Sequence, residues 1–227
     1  MRARVCWRSC ASGQRCTQPP EYRLIDETAP VVPAPFYCVK PADVLDFWFG
    51  VPSGPDYGKT RPLWFTKSDA TDELLRERFG TTVDSALNGE IDAWAHTSRG
   101  ALASIIVLDQ FTRNIYRDTP RSFAGDGQAL RLASNLVDRN EDCLLTPVER
   151  WFAYMPFEHS EFLNDQLESV RLFQQLAKEG LEEPLPWAIK HCEVIERFGR
   201  FPHRNSILGR ESTAEEVEFL KEQGSRF

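Results

Sequence analysis

Residues 98–115 form a segment that is apolar on almost every side when it is arranged as a helix. A helix without a polar face must be surrounded by other parts of the protein, so this segment is predicted to lie at the centre of the fold. Its longest apolar run, residues 101–108, is interrupted by Ser104 and is far shorter than the roughly 20 residues that cross a bilayer. The sequence therefore predicts a buried central helix and no membrane span.

Helical periodicity continues along most of the chain from residue 41. The clearest helix start is Thr146-Pro-Val-Glu149, which has the pattern of a capping box with proline at the first helical position. No segment shows the sustained alternation of polar and apolar residues that is typical of a strand. The predicted class is therefore all-α, with about eight helices whose short connections favour antiparallel neighbours. Besides the central helix, the helices are predicted at about 41–49, 68–88, 122–137, from 147, at 161–178, at 186–199 and at 213–222.

Residues 1–40 differ from the rest of the chain in charge and composition. The first twenty residues contain four arginines and no acidic residue, whereas the whole chain has a formal net charge of −7. Residues 17–41 are rich in proline, which keeps the backbone extended and is typical of a linker. We expect residues 1–40 to be a disordered N-terminal extension with a proline-rich linker. The alternative is that the start codon has been assigned too early and the extension is not part of the protein. Residues 41–227 are expected to form a single helical domain.

The acidic charge and the cysteine positions limit the classes of function. A net charge of −7 argues against nucleic-acid binding, where a basic face neutralises phosphates. Four of the six cysteines lie within the first 38 residues, so no disulfide framework spans the predicted domain. Reduced thiols in the cytoplasm are the simplest interpretation. The chain has neither a GxSxG nucleophile motif nor a phosphate-binding loop.

Polar residues interrupt the end of the central segment. Asp109 and Arg113 are four residues apart, a spacing that places two side chains on one side of a helix, and Asn114 follows directly. Polar groups at this depth are costly unless they are paired. Two interpretations remain open: Asp109 and Arg113 form a buried ion pair, or the three residues line a polar pocket in which Arg113 and Asn114 bind a ligand.

The stretch from Pro156 to Ser160 places a carboxylate beside an imidazole. Pro156 is predicted to end the preceding helix, which leaves Glu158 and His159 on a bend. Such a pair is suited to acid–base chemistry, but adjacent residues of a helix point about 100° apart and need not converge. A purely structural role for this stretch is the alternative.

Two further histidines are candidates for acid–base chemistry. His191 lies on the same helical face as Trp187 and is predicted to point inward, where a satisfied core histidine is the alternative. His203 follows the next helix end. No pair among Asp109, Glu158, His159, His191 and His203 has the HxxxH or ExxH spacing that puts two metal ligands on one helical face, so no metal site is predicted. The sequence does not identify a cofactor. The candidate catalytic residues are Asp109, His159, His191 and His203.

Arginines are concentrated where the helix predicted at 186–199 ends. Gly199 and Pro202 are expected to end that helix, and Arg200, Arg204 and Arg210 lie in the loop that follows. Guanidinium groups match the geometry of carboxylates and phosphates, so these three arginines are predicted to bind an anion. The alternative is that they neutralise internal carboxylates, namely those of Asp109, Glu149, Glu158, Asp165 and Glu211.

Four ordered motifs carry a family resemblance: VLDFWFG at 44–50, LDQFTRNIYR at 108–117, YMPFEHSEFLNDQLESV at 154–170 and RFGRFPHRNSILGREST at 197–213. Together they resemble the bacterial family called domain of unknown function 924, over about residues 41–227. The resemblance implies a fold similar to tetratricopeptide-like domains, with paired antiparallel helices stacked in a curved array. Gly125 and Gly127 depart from the helix start expected near Arg121, which leaves the local geometry there open.

Two hypotheses of function follow. The first is a site for a small anionic molecule, with or without catalysis, because ionisable residues are dense on helices that are otherwise buried. The second is a scaffold that binds a peptide or protein, because tetratricopeptide-like arrays hold peptides in a concave groove. The first is favoured, because the polar residues interrupt apolar helices instead of lying on exposed faces.

Overall fold

The computed structural model describes residues 39–55 and 57–225, and these residues form helices joined by turns. Two α-helical segments, α3 at Ser98–Ile105 and α4 at Thr112–Ile115, are joined by a π-helical segment at Ile106–Phe111 into one continuous central helix. Counted in this way, the described residues contain eight helices and no strand, which confirms the predicted all-α class. The α-helices are α1 Pro41–Phe49, α2 Asp69–Leu87, α3 Ser98–Ile105, α4 Thr112–Ile115, α5 Asp126–Asp138, α6 Pro147–Glu158, α7 Leu163–Lys178, α8 Leu185–Phe198 and α9 Ala214–Phe219.

The central helix is buried, as its apolar sequence indicates. It packs against α1, α2, α5 and α6, and Leu102, Ile105 and Ile106 have no exposed surface. Aromatic rings pack edge to face around it, with ring centroids of Trp48 and Phe111 5.6 Å apart. Burial of each such side chain contributes about 1.5–3 kcal/mol to folding. The central helix therefore provides a rigid axis for the residues at its C-terminal end.

Reciprocal capping explains two of the helix starts. At α6, the Thr146 hydroxyl accepts from the N–H of Glu149 at 3.4 Å, and the Glu149 carboxylate accepts from the N–H of Thr146 at 2.9 Å. The capping box predicted from the sequence is present. Thr213 and Glu216 repeat the arrangement at α9. Each cap stabilises its helix by about 1 kcal/mol.

Pro156 lies inside α6, so the prediction that it ends this helix is wrong. A proline removes only one backbone donor, and the N–H of His159 still donates to the carbonyl of Met155 at 2.9 Å. All residues from 151 to 158 are buried, so packing stabilises the last turn despite the missing bond. This places Glu158 at the end of a regular helix.

Several helix boundaries differ from the predicted ones by a few residues. The segment predicted to start at 122 becomes helical only at Asp126, because Pro120–Phe123 form a 3-10 turn before it. Helix α7 starts at Leu163 and not at 161, and α9 ends at Phe219 and not at 222. The extension predicted for residues 1–40 lies outside the described residues, except for positions 39 and 40.

Helices α6, α7 and α8 pack in the order in which they follow one another in the chain. This order brings the C-terminal end of α6 and the inner face of α8 close to the central helix, where α6 also contacts the π-helical segment. A small second apolar cluster, formed by Val194, Ile195, Phe201 and Phe219, closes the C-terminal end. In the part of the chain that is described, no helix has the length and apolar character needed to span a membrane.

Candidate functional site

Asp109 lies in the π-helical segment of the central helix. A π-helical turn is wider than an α-helical turn, because each amide bonds the carbonyl five residues earlier. Here three successive side chains also donate to carbonyls four residues earlier, Thr112 to Leu108 at 2.7 Å and Arg113 to Asp109 at 2.9 Å, followed by Asn114 to Gln110 at 2.9 Å. Single π-helical turns occur frequently at functional sites.

The carboxylate of Asp109 is completely buried and has three side-chain partners. Its Oδ1 lies 2.6 Å from Nδ1 of His159 and 3.1 Å from Nη1 of Arg113, and Gln110 donates to Oδ2. Burial alone would raise the pKa of Asp109, but Arg113 and His159 together hold it well below its ordinary value. Asp109 is therefore an ionised carboxylate in the protein interior.

His159 is the residue that directly follows the last turn of α6. Burial, with the positive charge of Arg113, lowers the pKa of His159 below its ordinary value, although Asp109 acts in the opposite direction. A neutral imidazole that faces an ionised carboxylate carries its proton on the nitrogen nearest to it, here Nδ1. Nε2 is then a proton acceptor, which is the arrangement of a general base.

A second carboxylate–imidazole pair lies beside the first. Nδ1 of His191 is 2.9 Å from Oε1 of Glu158 and 2.8 Å from the carbonyl of Trp187, and the rings of His159 and His191 are 6.3 Å apart. The adjacent residues Glu158 and His159 thus point to different partners. His191 is buried, whereas Trp187 is 52% exposed, so the two do not share an inward face as the helical pattern predicted.

Two arginines, the half-buried Arg113 and the buried Arg204, meet at one carboxylate, that of Asp126 at the start of α5. Arg113 binds both oxygens of Asp126, at 2.8 and 3.1 Å. Nη1 of Arg204 lies 3.6 Å from Oδ2 of Asp126, and its guanidinium is placed between the rings of Phe123 and Phe201, 4.9 and 4.5 Å from their centroids. Asp126 is therefore shared by two guanidinium groups, of which that of Arg113 lies closer.

Arg204 is the most unusual group of the cluster. It is only 6% exposed, and its Nε is buried without a hydrogen-bond partner. Burial, together with the positive charge of Arg113, lowers the pKa of Arg204 to about 10. Buried guanidinium donors are costly to leave unbonded, so the environment of Arg204 favours a further anion.

Gly125 explains how α5 delivers Asp126 to this place. A Cβ atom at position 125 would lie 2.2 Å from the carbonyl oxygen of Leu108 in the π-helical segment, a distance that no side chain can adopt. Only glycine lets the two backbones approach so closely. Gly125, which departs from the helix start expected from the sequence, therefore allows α5 to pack closely against the central helix.

Phe201 connects the loop after α8 to the cluster. Its ring centroid lies 5.4 Å from that of His191 and 5.7 Å from that of His203. Burial, with the nearby charge of Arg204, lowers the pKa of His203 to about 3. The Phe201 N–H donates to Glu161 at 2.8 Å. His203 and Arg204 thus join the cluster from a loop that Glu161 holds in place.

The other predicted ligand-binding residues have different partners. Arg210 binds both oxygens of Glu161, at 2.7 and 2.9 Å, and supports the loop instead of facing Asp109. Arg200 binds the buried Glu216 at 2.6 and 2.8 Å. Asn114 accepts from Arg117 at 3.0 Å. The structure brings together six of the predicted residues: Asp109, Arg113, His159, His191, His203 and Arg204.

Comparison with known proteins assigns the family. The family described as bacterial protein of unknown function (DUF924) matches residues 44–224. The chain belongs to this family. It is also similar to a solved structure of a protein of unknown function from Agrobacterium tumefaciens, with 38% identity, a TM-score of 0.70, and coverage of 80% of this chain and 96% of that one. A search of curated proteins found no match.

All residues of the cluster lie within the part of the chain that matches the family. Sequence reasoning missed Asp126, Phe123 and Glu161, and it named the wrong carboxylates as internal partners of the arginines in the loop. The one local signal for Asp126 is its place directly after a glycine at a helix start. Among residues 39–55 and 57–225, no group of three His, Cys, Asp or Glu side chains is arranged to hold a metal ion.

Proposed function

We propose that this protein binds a small anionic molecule, a carboxylate or a phosphate, at the cluster around Arg204. The supporting observation is a buried guanidinium with an unbonded Nε, whose nearest carboxylate, that of Asp126, is already bound on both oxygens by Arg113. A ligand anion at this place completes the hydrogen bonds of Arg204, and the two arginines supply charge-assisted bonds to it.

The imidazoles give this binding site a chemical role. His159 presents Nε2 as a proton acceptor, and Asp109 acts as a positioning residue that fixes its tautomer. His191 is oriented in the same way by Glu158, and His203 adds a third imidazole of lowered pKa. Such a set is suited to moving a proton to or from a bound anion. We assign this activity to a cytoplasmic domain at residues 41–227, in keeping with the unpaired thiols of Cys143 and Cys192.

Ligand-induced thermal stabilisation tests the proposal. Inorganic phosphate, acetate, malonate and succinate are titrated into the full chain, and at least one is expected to raise the melting temperature with saturation. Arg204→Met keeps an apolar stem between the two phenylalanine rings but removes the charge, so it is expected to abolish the shift. Arg113→Ala is expected to do the same.

Arg197→Met is the matched control. Arg197 also lies over two phenylalanine rings, those of Phe198 and Phe219, and it also binds a carboxylate, that of Glu215 at 2.8 Å. Its side chain is 48% exposed and lies outside the cluster, so this variant is expected to keep the full shift. No shift with any anion in the wild type, or an equal shift in Arg204→Met, contradicts the proposal.

A scaffold for peptide binding is the second candidate. Phe162, Leu163 and Leu167 expose apolar side chains at the start of α7, with exposed fractions of 74%, 43% and 52%. A tetratricopeptide-like stack of α6, α7 and α8 is consistent with peptide recognition through such a surface. Immobilised wild type and a Phe162→Ser/Leu167→Ser variant are compared on a peptide array. A peptide set retained only by the wild type supports this candidate, and identical retention contradicts it.

A further inference from the structure

A cleft separate from the polar cluster lies between α3, α5 and the 3-10 turn Asp92–His96. Its larger part has a volume of about 290 Å³ and adjoins a smaller part of about 190 Å³, with which it shares Ala95, Leu132 and Asn135. Sites for small molecules start at roughly 300 Å³, so the combined cleft is large enough for a compact ligand. Leu108, which lines the larger part, directly precedes Asp109 in the chain.

The larger cleft is lined by five apolar and five polar residues, and hydrogen bonds inside the protein orient two of the polar side chains. Nε2 of Gln128 donates to the carbonyl of Leu87 at 3.1 Å, which fixes the amide, and Oε1 is then a buried acceptor with no donor among the described residues. The Ser104 hydroxyl donates to the carbonyl of Gly100 at 3.1 Å, so towards the cleft it offers an acceptor. Gln128 Oε1 is thus an acceptor in the wall of the cleft that has no donor of its own in the described part of the chain.

Charge around this cleft is balanced. Asp92 and Arg131 both line it, and Arg131 also donates to the carbonyl of Gly127 at 3.0 Å. An ion gains little from such a pair of opposite charges, whereas an apolar body gains from contact with Ile91 and Leu132. We infer that the cleft binds a neutral, compact and mostly apolar molecule that carries one hydroxyl or N–H donor directed at Gln128.

Two probes with the same ring test this inference. Cyclohexanol and methoxycyclohexane share a ring, but only the alcohol has a donor. In an NMR titration of the isotope-labelled full chain, the alcohol is expected to shift the amide signals of Ala95 and Leu132, and to bind about fivefold more tightly than the ether. In Gln128→Met, which keeps the length of the side chain and removes the acceptor, both probes are expected to bind equally.

Filling the cleft supplies an independent variant. Leu132→Trp is expected to abolish binding of both probes, whereas Ser134→Trp on the same helix, at a position that lines neither part of the cleft, is expected to retain it. If Leu132→Trp fails to fold, the comparison of the alcohol with the ether in Gln128→Met remains decisive. Equal binding of both probes to the wild type, no binding by either, or an unchanged preference in Gln128→Met overturns the inference.

Discussion

Asp109 and His159 are 50 residues apart in the chain, yet the carboxylate oxygen of one lies 2.6 Å from Nδ1 of the other in the protein interior. The contact joins the π-helical segment of the central helix to the end of α6. It orients the imidazole and at the same time ties two structural elements together. The pair therefore contributes to stability as well as to the proposed site.

Asp109→Asn is expected to destabilise the protein by roughly 3–5 kcal/mol, because it removes a charge that compensates the guanidinium of Arg113 and the charged acceptor that His159 binds. Chemical denaturation of the full chain measures this free energy of unfolding. Asp84→Asn is the control, since Asp84 also binds an arginine, Arg121, but its side chain is 54% exposed. A cost of at most about 1 kcal/mol is expected there. Equal costs for both variants would show that the buried carboxylate is dispensable.

Stability is expected to fall as the pH drops below about 6.5, the ordinary pKa of histidine. Burial lowers the pKa of His159, and it lowers that of His203 to about 3. Below about pH 6.5 the unfolded chain therefore binds protons at these two imidazoles, whereas the folded protein does not. The free energy of unfolding then decreases by up to roughly 1.4 kcal/mol per pH unit for each such imidazole. Protonation of Asp109, whose pKa is also lowered, adds to the loss at still lower pH.

Denaturation curves between pH 7.5 and 4.5 measure this pH dependence. His203→Gln is expected to make the dependence shallower, because one imidazole no longer contributes a difference in bound protons. His96→Gln changes an exposed histidine outside the cluster and serves as the control variant. An unchanged slope in His203→Gln would be incompatible with a buried, neutral imidazole at that position.

Gly125→Ala is expected to cost several kcal/mol, because the new Cβ would overlap the backbone carbonyl of Leu108. Gly127→Ala, two residues along in the same helix, meets only the flexible end of Arg131 at 3.8 Å and is expected to stabilise by about 0.5–1 kcal/mol. Thermal and chemical denaturation measure both. Opposite signs at the two glycines are the expected result, and a neutral Gly125→Ala would refute the close approach.

Glu161→Gln is expected to loosen the loop that carries His203 and Arg204. Glu161 accepts from the N–H of Phe201 and binds Arg210, and bonds of this charged kind contribute about 1.5–3 kcal/mol each. Hydrogen exchange over residues 199–210 is expected to accelerate. Glu215→Gln changes a carboxylate that is 62% exposed, bound to Arg197, and should leave the exchange of this loop as it is. Similar exchange in both variants would contradict the supporting role.

Local patterns in the sequence predicted much of the fold. The capping box at Thr146 and Glu149 and the apolar central segment depend on interactions within a few residues, which periodicity and spacing describe directly. The contact between Asp109 and Arg113 follows from the same logic, because residues four apart share one side of a helix. The family assignment depended on longer ordered motifs, and the match over residues 44–224 confirms it.

Local sequence patterns could not predict which charged side chains pair when they lie far apart in the chain. Arg204 meets Asp126 because Gly125 lets α5 approach the central helix closely, and Arg210 meets Glu161 because the loop after α8 folds back on the connection between α6 and α7. Such choices among many carboxylates depend on the packing of whole helices. The π-helical segment was also missed, since its residues have the same apolar character in an α-helical turn.

The π-helical segment depends on the number of residues between 106 and 111 more than on which apolar residues occupy these positions. Deleting one residue within 106–111 would return the helix to regular α geometry, so that the widened turn in which Asp109 lies would be lost while the helix after it keeps its direction. An exchange of one apolar residue for another leaves this turn in place, whereas a one-residue deletion, although it restores the more common helix, would remove the backbone geometry that holds Asp109 against Arg113 and His159.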